Sequence, residues 1–406
     1  MIPFSPPRID EKIINEVVNT LRSGWITTGP KTKLFEKKIQ EYCGCSRVLC
    51  LNSATSGLEL VLRWFGIGAG DEVIVPVYTY CATANVVLHT GATPVFVDVN
   101  SDDLTISIKE IEKAITSRTK AIIPVDIGGM PCDYNGINDL VSREDVKNLF
   151  RPSNAVQEQL GRILILSDAA HSMGAVYYNK KAGSLTDITV FSFHAVKNLT
   201  TGEGGAIAFN MPKPFSHDDL YEEFNIMALH GQTKDAFTKI QGGKWKYDVI
   251  SAGYKANMTD ILASIGLVEI DRYENDTLVK YKQIFEKYDE VFRKYEWAEV
   301  PVYQKHKRTS AFHLYMLRIK EISAEQRDII IEKIFEKGVA VNVHFIPLPM
   351  LSVYKGKGYD ISNYPVAYNN YSREITLPAY YDLTDSQINT IINSVVDSVN
   401  EIIRKK

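Results

Sequence analysis

The sequence predicts an α/β fold with a mostly parallel central sheet, helices on both of its faces, and a smaller C-terminal α+β domain. Three observations lead there. Short, continuous apolar runs alternate with helical patterns from residue 47 onward. The texture changes near residue 260 to long amphipathic stretches. A chain of 406 residues also exceeds what one hydrophobic core comfortably serves.

The elements follow in order. "RVLCLN" reads as a strand, and "SATSGLELVLRWFG" after it places Leu58, Val61, Leu62 and Phe65 at helical spacing. "DEVIVPVY" precedes the helical "CATANVVLHTG", and "TPVFVDV" precedes "SIKEIEKAI". "TKAIIPVD", "GRILILSDAAH", "DITVFSFH" and "GAIAFN" complete the strand series. The stretch 133–160 reads as a charged insertion running over the surface. "MTDILASIGLVEIDRYENDTLVKYKQIFEKYDEVFRKY" is one long amphipathic helix or two in series. Beyond it, "AFHLYMLRI" and "EQRDIIIEKIFEKGVAV" give strand and helix signals of a second lobe. The expected division is 1–250 for the large domain and 251–406 for the small one.

Composition narrows the function classes. A net charge of −3, with both signs scattered, gives no electrostatic case for nucleic acid or an anionic membrane as partner. No apolar run reaches the roughly 18–20 residues of a membrane span, and "MIPFSPPRIDEK" lacks the regions of a signal peptide. Cys43, Cys45, Cys50, Cys81 and Cys132 are odd in number and have no zinc-site spacing. The expectation is a cytoplasmic protein with reduced thiols and no metal site.

Ligands of such sheets sit at the carboxyl ends of the strands, so the residues just after each strand matter most. Asn52, Ser53, Ala54, Thr55 and Ser56 open a helix, where free amides and the positive dipole end could cradle a phosphate. A plain Ser/Thr cap uses the same residues and is the commoner case. Tyr80, among Tyr78 and Thr79, could lie on a planar ring or belong to the core. Asp168 ends a very apolar strand, where a carboxylate is costly unless it caps a helix or holds a cation. His171 follows on the next turn. In "FSFHAVKNLTTGEGG" Lys197 stands between an apolar strand and a bend rich in glycine, Gly202, Gly204 and Gly205. A partly dry pocket would make its neutral amine accessible for Schiff-base chemistry. An anion cradle, an aromatic plate, an acid at a strand end and a buried lysine are together the contacts that pyridoxal 5'-phosphate needs.

"DAAHSMGA", "FSFHAVKNLTTGEGG", "GWITTGPKTKLFEKKI", "VPVYTYCATANVVLHTGATPVFVDV" and "GYKANMTDILASIGL" together resemble the DegT/DnrJ/StrS-type sugar-nucleotide aminotransferases, which have the fold of type I pyridoxal phosphate transferases. The resemblance runs nearly end to end. It implies a homodimer, with an active site shared across the interface, that aminates a nucleotide-linked keto-sugar with an amino-acid donor, usually glutamate. By position it implies that Lys197 binds the cofactor's aldehyde and shuttles a proton, that Asp168 binds the pyridine nitrogen and that Tyr80 stacks on the ring. Ala54, Thr55 and Ser192 would hold the phosphate, and His171 would stand beside the ring. Lys255 or Asn257 would reach the neighbouring subunit's phosphate, although an asparagine is more usual where Lys255 stands. The loop from Trp25 to Gly29, with Thr27 and Thr28, and the segment around His344 correspond to those bordering the sugar-nucleotide; a satisfied core histidine is the other reading of His344. "KNLTTGEGG" and "GGKWKYDVISAGYKAN" look closest to relatives that aminate the C4 keto group of UDP-linked sugars, including a precursor of modified lipid A. Two departures stand: the 133–160 segment is longer than usual, and no arginine pair presents itself for a dicarboxylate donor. A dehydratase of the same family would carry histidine in place of Lys197, and a non-catalytic homologue would not need the full set of contacts.

Overall fold

The structure is a computed structural model, and it describes residues 1–234 and 246–403. Seven strands form the central sheet: β1 (Arg47–Leu51), β2 (Glu72–Pro76), β3 (Thr93–Val97), β4 (Thr119–Ile122), β5 (Leu164–Asp168), β6 (Ile188–Ser192) and β7 (Gly205–Phe209). Their spatial order is β1-β7-β6-β5-β4-β2-β3. Neighbours from β6 to β3 run parallel, and β7 alone opposes both of its neighbours. Apart from the edge strand β3, where Thr93 is exposed and Val95 half-buried, the strands are buried on both faces, which is why the runs lack polar alternation. The expected mostly parallel sheet is present.

Helices α1 (Glu11–Ser23), α2 (Pro30–Cys43), α3 (Ala54–Trp64) and α4 (Ala82–His89) belong to the large unit. Their ends follow from local chemistry. Asp10 accepts from the Ile13 N–H to start α1, which stops at Gly24 with φ of 73°. The N-terminus of α2 is capped from a distance, because buried Asp260 accepts from the N–H groups of Gly29, Lys31 and Thr32.

The long pattern after residue 258 is two helices, α5 (Asp260–Arg272) and α6 (Leu278–Phe292), joined by a π-helical turn over Tyr273–Thr277. Apolar packing of the large unit continues past residue 250. Ala263, Leu267, Ile270 and Tyr273 share a cluster with Phe35, Ile39 and Phe193 of the large unit. The second core packs Tyr281, Phe285, Tyr288 and Phe292 against Tyr315 and Leu317, and takes in Ile2 from the N-terminal segment. An added Cβ at Gly266 would meet the Phe35 ring at 2.4 Å, so α5 is seated tightly on α2. The small lobe holds an antiparallel sheet of β8 (Ala298–Glu299), β9 (Tyr315–Ile319) and β10 (Glu374–Leu377), with helices α7 (Ala324–Glu336) and α8 (Asp385–Ile403).

The 133–160 segment departs from expectation. It folds into helices over Tyr134–Ser142, Glu144–Lys147 and Ala155–Leu160. Tyr134, Ile137, Leu140, Val141, Val146 and Phe150 are buried in the main core, while Arg143, Glu144 and Asp145 face outward. Apolar residues at helical spacing, not the charge count, decide where this segment goes. Among the described residues no helix is long and apolar enough to cross a membrane.

Candidate active site

A cavity of about 390 Å³ opens where the carboxyl ends of β5 and β6 meet the N-terminus of α3. Asp168, Lys197, Ala54, Thr55, Tyr80, His171, Ser192 and His344 all line it. Residues from five separate stretches of sequence therefore converge on one space.

Asp168 is 6% exposed, and its carboxylate accepts from the Thr83 hydroxyl at 2.8 Å and the Ala170 N–H at 3.2 Å. Burial raises its pKa, opposed by those two donors and by the Lys197 ammonium. It makes no ion pair with any described residue, so it is a carboxyl with room for a cationic partner. Lys197 sits on the loop after β6, its N–H donating to the His194 carbonyl at 2.9 Å. Burial lowers its amine to about 8, against the pull of Asp168. At that value about one amine in ten is neutral at pH 7, against fewer than ~1 in 1,000 for an ordinary lysine.

The anion cradle has a structural cause. Ser53 caps α3 by accepting from the Ser56 N–H, leaving the first turn at the cavity wall. Its close approach to β7 requires glycine: a Cβ at Gly205 would lie 2.4 Å from the Ala54 nitrogen and 2.5 Å from the Ser53 carbonyl carbon. Both are backbone atoms that cannot step aside. Gly202, with φ of 82°, makes the preceding turn. Ser192 is half-buried, and its hydroxyl accepts from the His194 N–H at 3.4 Å.

Tyr80 stands at the rim, 59% exposed, its ring 5.9 Å from that of Phe345. His171 stacks on Phe345 at 5.9 Å, and its Nδ1 accepts from the Gly128 N–H at 3.3 Å, which leaves any ring proton on Nε2. His344 Nδ1 lies 2.9 Å from the Thr376 hydroxyl, and its ring stacks on Phe4 at 5.5 Å.

Four expected residues lie off this cavity. The Thr28 hydroxyl accepts from the Asn257 amide at 2.6 Å and donates to the Met258 carbonyl, and Thr27 accepts from the Asp260 N–H at 3.1 Å. Within one chain these bonds lock the loop before α2 to the segment before α5, in place of lining the pocket. Lys255 is exposed, its carbonyl 3.5 Å from the Asn52 amide. Residues 242–245 of "GGKWKYDVISAGYKAN" lie outside the described residues.

Other lining or supporting residues were not singled out from sequence. Thr83 supports Asp168 from the start of α4. His313 is buried in the wall, its Nδ1 2.8 Å from the Asn198 side-chain oxygen, and its ring 4.5 Å from that of His171. Phe4 and Ser5 bring the N-terminal segment over the opening, held by pairing of Ile2 with Val339.

Residues 7–396 match the model of the DegT/DnrJ/EryC1/StrS aminotransferase family. The chain belongs to that family. It is therefore a pyridoxal-phosphate-dependent aminotransferase of fold type I. Two curated relatives span nearly the whole chain: the uncharacterised protein MJ1066 of Methanocaldococcus jannaschii, 39% identical over 98% of both chains, and the spore coat polysaccharide biosynthesis protein SpsC of Bacillus subtilis, 36% identical over 98% of this chain and 97% of the relative. Among solved structures, Spr1654 of Streptococcus pneumoniae, provisionally assigned as a sugar aminotransferase, superposes in its PMP form with a TM-score of 0.95 at 45% identity, covering 99% of this chain and 100% of the other. Its PLP form gives a TM-score of 0.93 at 44% identity, over 99% of each chain.

The cavity fits the cofactor on its own terms. A buried carboxyl with no ion pair to a described residue, a lysine with a partly neutral amine and a helix N-terminus admitted by a glycine meet in one space. Bound there, pyridoxal phosphate supplies an electron sink for charge developing at the substrate carbon. Lys197 would hold its aldehyde and move the proton, Asp168 would keep the ring nitrogen protonated, and the first turn of α3 with Ser192 would take the phosphate.

Proposed function

We propose that this enzyme transfers the amino group of an amino-acid donor, glutamate, to the keto carbon of a nucleotide-linked sugar, a UDP- or dTDP-4-keto-sugar. The observation that carries this reading is the placement of Lys197 and Asp168 on one cavity against the N-terminus of α3. The amine lies near pH 8, close enough to neutrality to act as both nucleophile and proton carrier. His171, His313 and His344 give the cavity a polar wall suited to a hydroxylated substrate. A polysaccharide destination, such as lipopolysaccharide or another cell-envelope glycan, is supported by the role named for the B. subtilis relative.

The same reading makes the protein a cytoplasmic homodimer that completes its site across the interface. Lys255, Asn257, Thr27 and Thr28 stand off their own cavity, and Tyr80 is left exposed at its rim. Lysine at 197, in place of histidine, favours amino transfer over dehydration.

The test is spectroscopic. Purified protein should be yellow, glutamate should convert it to the pyridoxamine form, and a nucleotide-linked 4-keto or 3-keto sugar should restore the colour. Colour that no amino donor alters would instead favour dehydratase-like chemistry. A colourless chain that cannot be reconstituted would favour a non-catalytic homologue.

A further inference from the structure

Behind His344 lies a carboxyl that does not line the cavity. Glu374, on β10, is 0% exposed, as is Thr376 on the same strand. The Thr376 hydroxyl donates to Glu374 Oε1, and Glu374 Oε2 accepts from the His344 backbone N–H at 3.0 Å. His344 Nδ1 is 2.9 Å from the same Thr376 oxygen. A continuous hydrogen-bonded line therefore runs from the cavity wall to a fully buried acid.

We propose that His344, Thr376 and Glu374 form a proton relay that takes a proton from a primary ammonium in the cavity and stores it on the buried carboxyl. The balance is simple. The ammonium gives its proton to His344 Nε2 and becomes a neutral amine. The Nδ1 proton passes to Thr376, whose own proton passes to Glu374 Oε1. Glutamate 374 changes from carboxylate to acid, and His344 exchanges one neutral tautomer for the other. An amino donor needs this step, because its nitrogen must lose a proton before it can attack a carbon; that identity for the ammonium rests on the aminotransferase reading.

The surroundings suit a proton store. Glu374 makes no ion pair with a described residue. The groups facing it are Arg318 on β9, Arg327 on α7 and the Tyr78 hydroxyl beyond β2. Arg318 is bound to Glu299, the Asn370 side chain and the Ser101 carbonyl, and Arg327 to Asp328 and the carbonyls of Tyr371 and Glu374. Burial pushes the Glu374 carboxyl up to about 8, near the working range of an amine. His344 is held down to about 4 by burial and by Lys197, so a proton passes through its ring without resting there as imidazolium.

The relay has two polarities. With Glu374 ionised, Thr376 donates to it and His344 carries its proton on Nδ1. With Glu374 protonated, Thr376 must turn and donate to Nδ1, so the proton sits on Nε2. Glu374→Gln fixes the second state. Its amide oxygen must face the His344 N–H, which forces its NH₂ toward Thr376.

The experiment is ¹⁵N NMR of histidine-labelled, full-length holoenzyme between about pH 6.5 and 9.5, where a histidine tautomer reads out directly. The His344 signals are assigned by their loss in H344Q. In the wild type the ring proton should move from Nε2 to Nδ1 with a midpoint near 8. E374Q should lose the exchange and stay on Nε2; T376V should uncouple it, and T376S should restore it. A single His344 tautomer across the range, or an E374Q spectrum that follows the wild type, overturns the relay. Conversion of the cofactor by glutamate is followed on the same samples. Conversion without tautomer exchange refutes the relay alone, and exchange without conversion by any donor refutes the aminotransferase reading alone.

Discussion

Replacing Thr83 with valine removes one oxygen from the support of Asp168 and almost no volume. The hydroxyl donates to Asp168 Oδ2 at 2.8 Å in a site where the carboxylate is 6% exposed, so water cannot easily replace it. The Ala170 N–H, at 3.2 Å, would be the carboxylate's remaining hydrogen bond. A hydrogen bond to a charged group is worth about 1.5–3 kcal/mol. Burial already raises the Asp168 pKa, and losing this donor raises it further, toward the neutral acid that cannot hold a protonated ring nitrogen. At about 1.4 kcal/mol per tenfold, T83V should slow the glutamate half-reaction by roughly 10- to 100-fold. Stopped-flow absorbance of the holoenzyme at saturating glutamate measures it. T83S should recover most of the rate. A T83V rate within about twofold of wild type, worth less than ~0.5 kcal/mol, would refute the assignment of Asp168 as an electronic partner. So would a T83S enzyme as slow as T83V.

Other outcomes follow from the same geometry. Lys197→Ala should abolish turnover while circular dichroism and thermal melting stay near wild type, since the side chain lines a cavity and supports no core. Capture of pyridoxal phosphate by the apoenzyme should rise with pH through about 8, following the neutral amine, and a rise only above pH 10 would contradict the partly dry setting of Lys197. Gly205→Ala should weaken phosphate binding and lower stability by about 1–3 kcal/mol, because its Cβ would lie 2.4 Å from the Ala54 nitrogen; isothermal titration and chemical denaturation report the two effects. Glu374 has a folded pKa raised to about 8, so its protonated form favours the folded state. That contribution is complete below the unfolded carboxyl's value and fades as pH rises through about 8. E374Q should therefore flatten the decline in Tm across that range.

The strand series was readable because the strands inside the sheet are buried on both faces and their apolar runs end where the sheet ends. Asp168 and Lys197 were readable for a related reason: each is a charged residue placed just after such a run, where burial demands a use for it. The 133–160 helices were hard to read because the charges of Arg143, Glu144, Asp145 and Lys147 stand together, while the apolar spacing of Ile137, Leu140 and Val141 is short. Thr83, His313 and Glu374 could not be found from sequence alone. Thr83 meets Asp168 across 85 positions and His313 meets Asn198 across 115, contacts set by sheet order and by docking of the small lobe. Thr27 and Thr28 show the converse. Their position in a loop matched a substrate border, but their backbone and hydroxyl partners on the 257–260 segment are visible only after folding.

The most direct measurement is the site of covalent attachment of the cofactor. Borohydride reduction of the yellow holoenzyme, followed by proteolysis and mass spectrometry, should place the pyridoxyl group on the peptide containing Lys197 and leave the other lysines unmodified. A pyridoxyl group on any other lysine, or none after reduction of a reconstituted sample, would contradict the account.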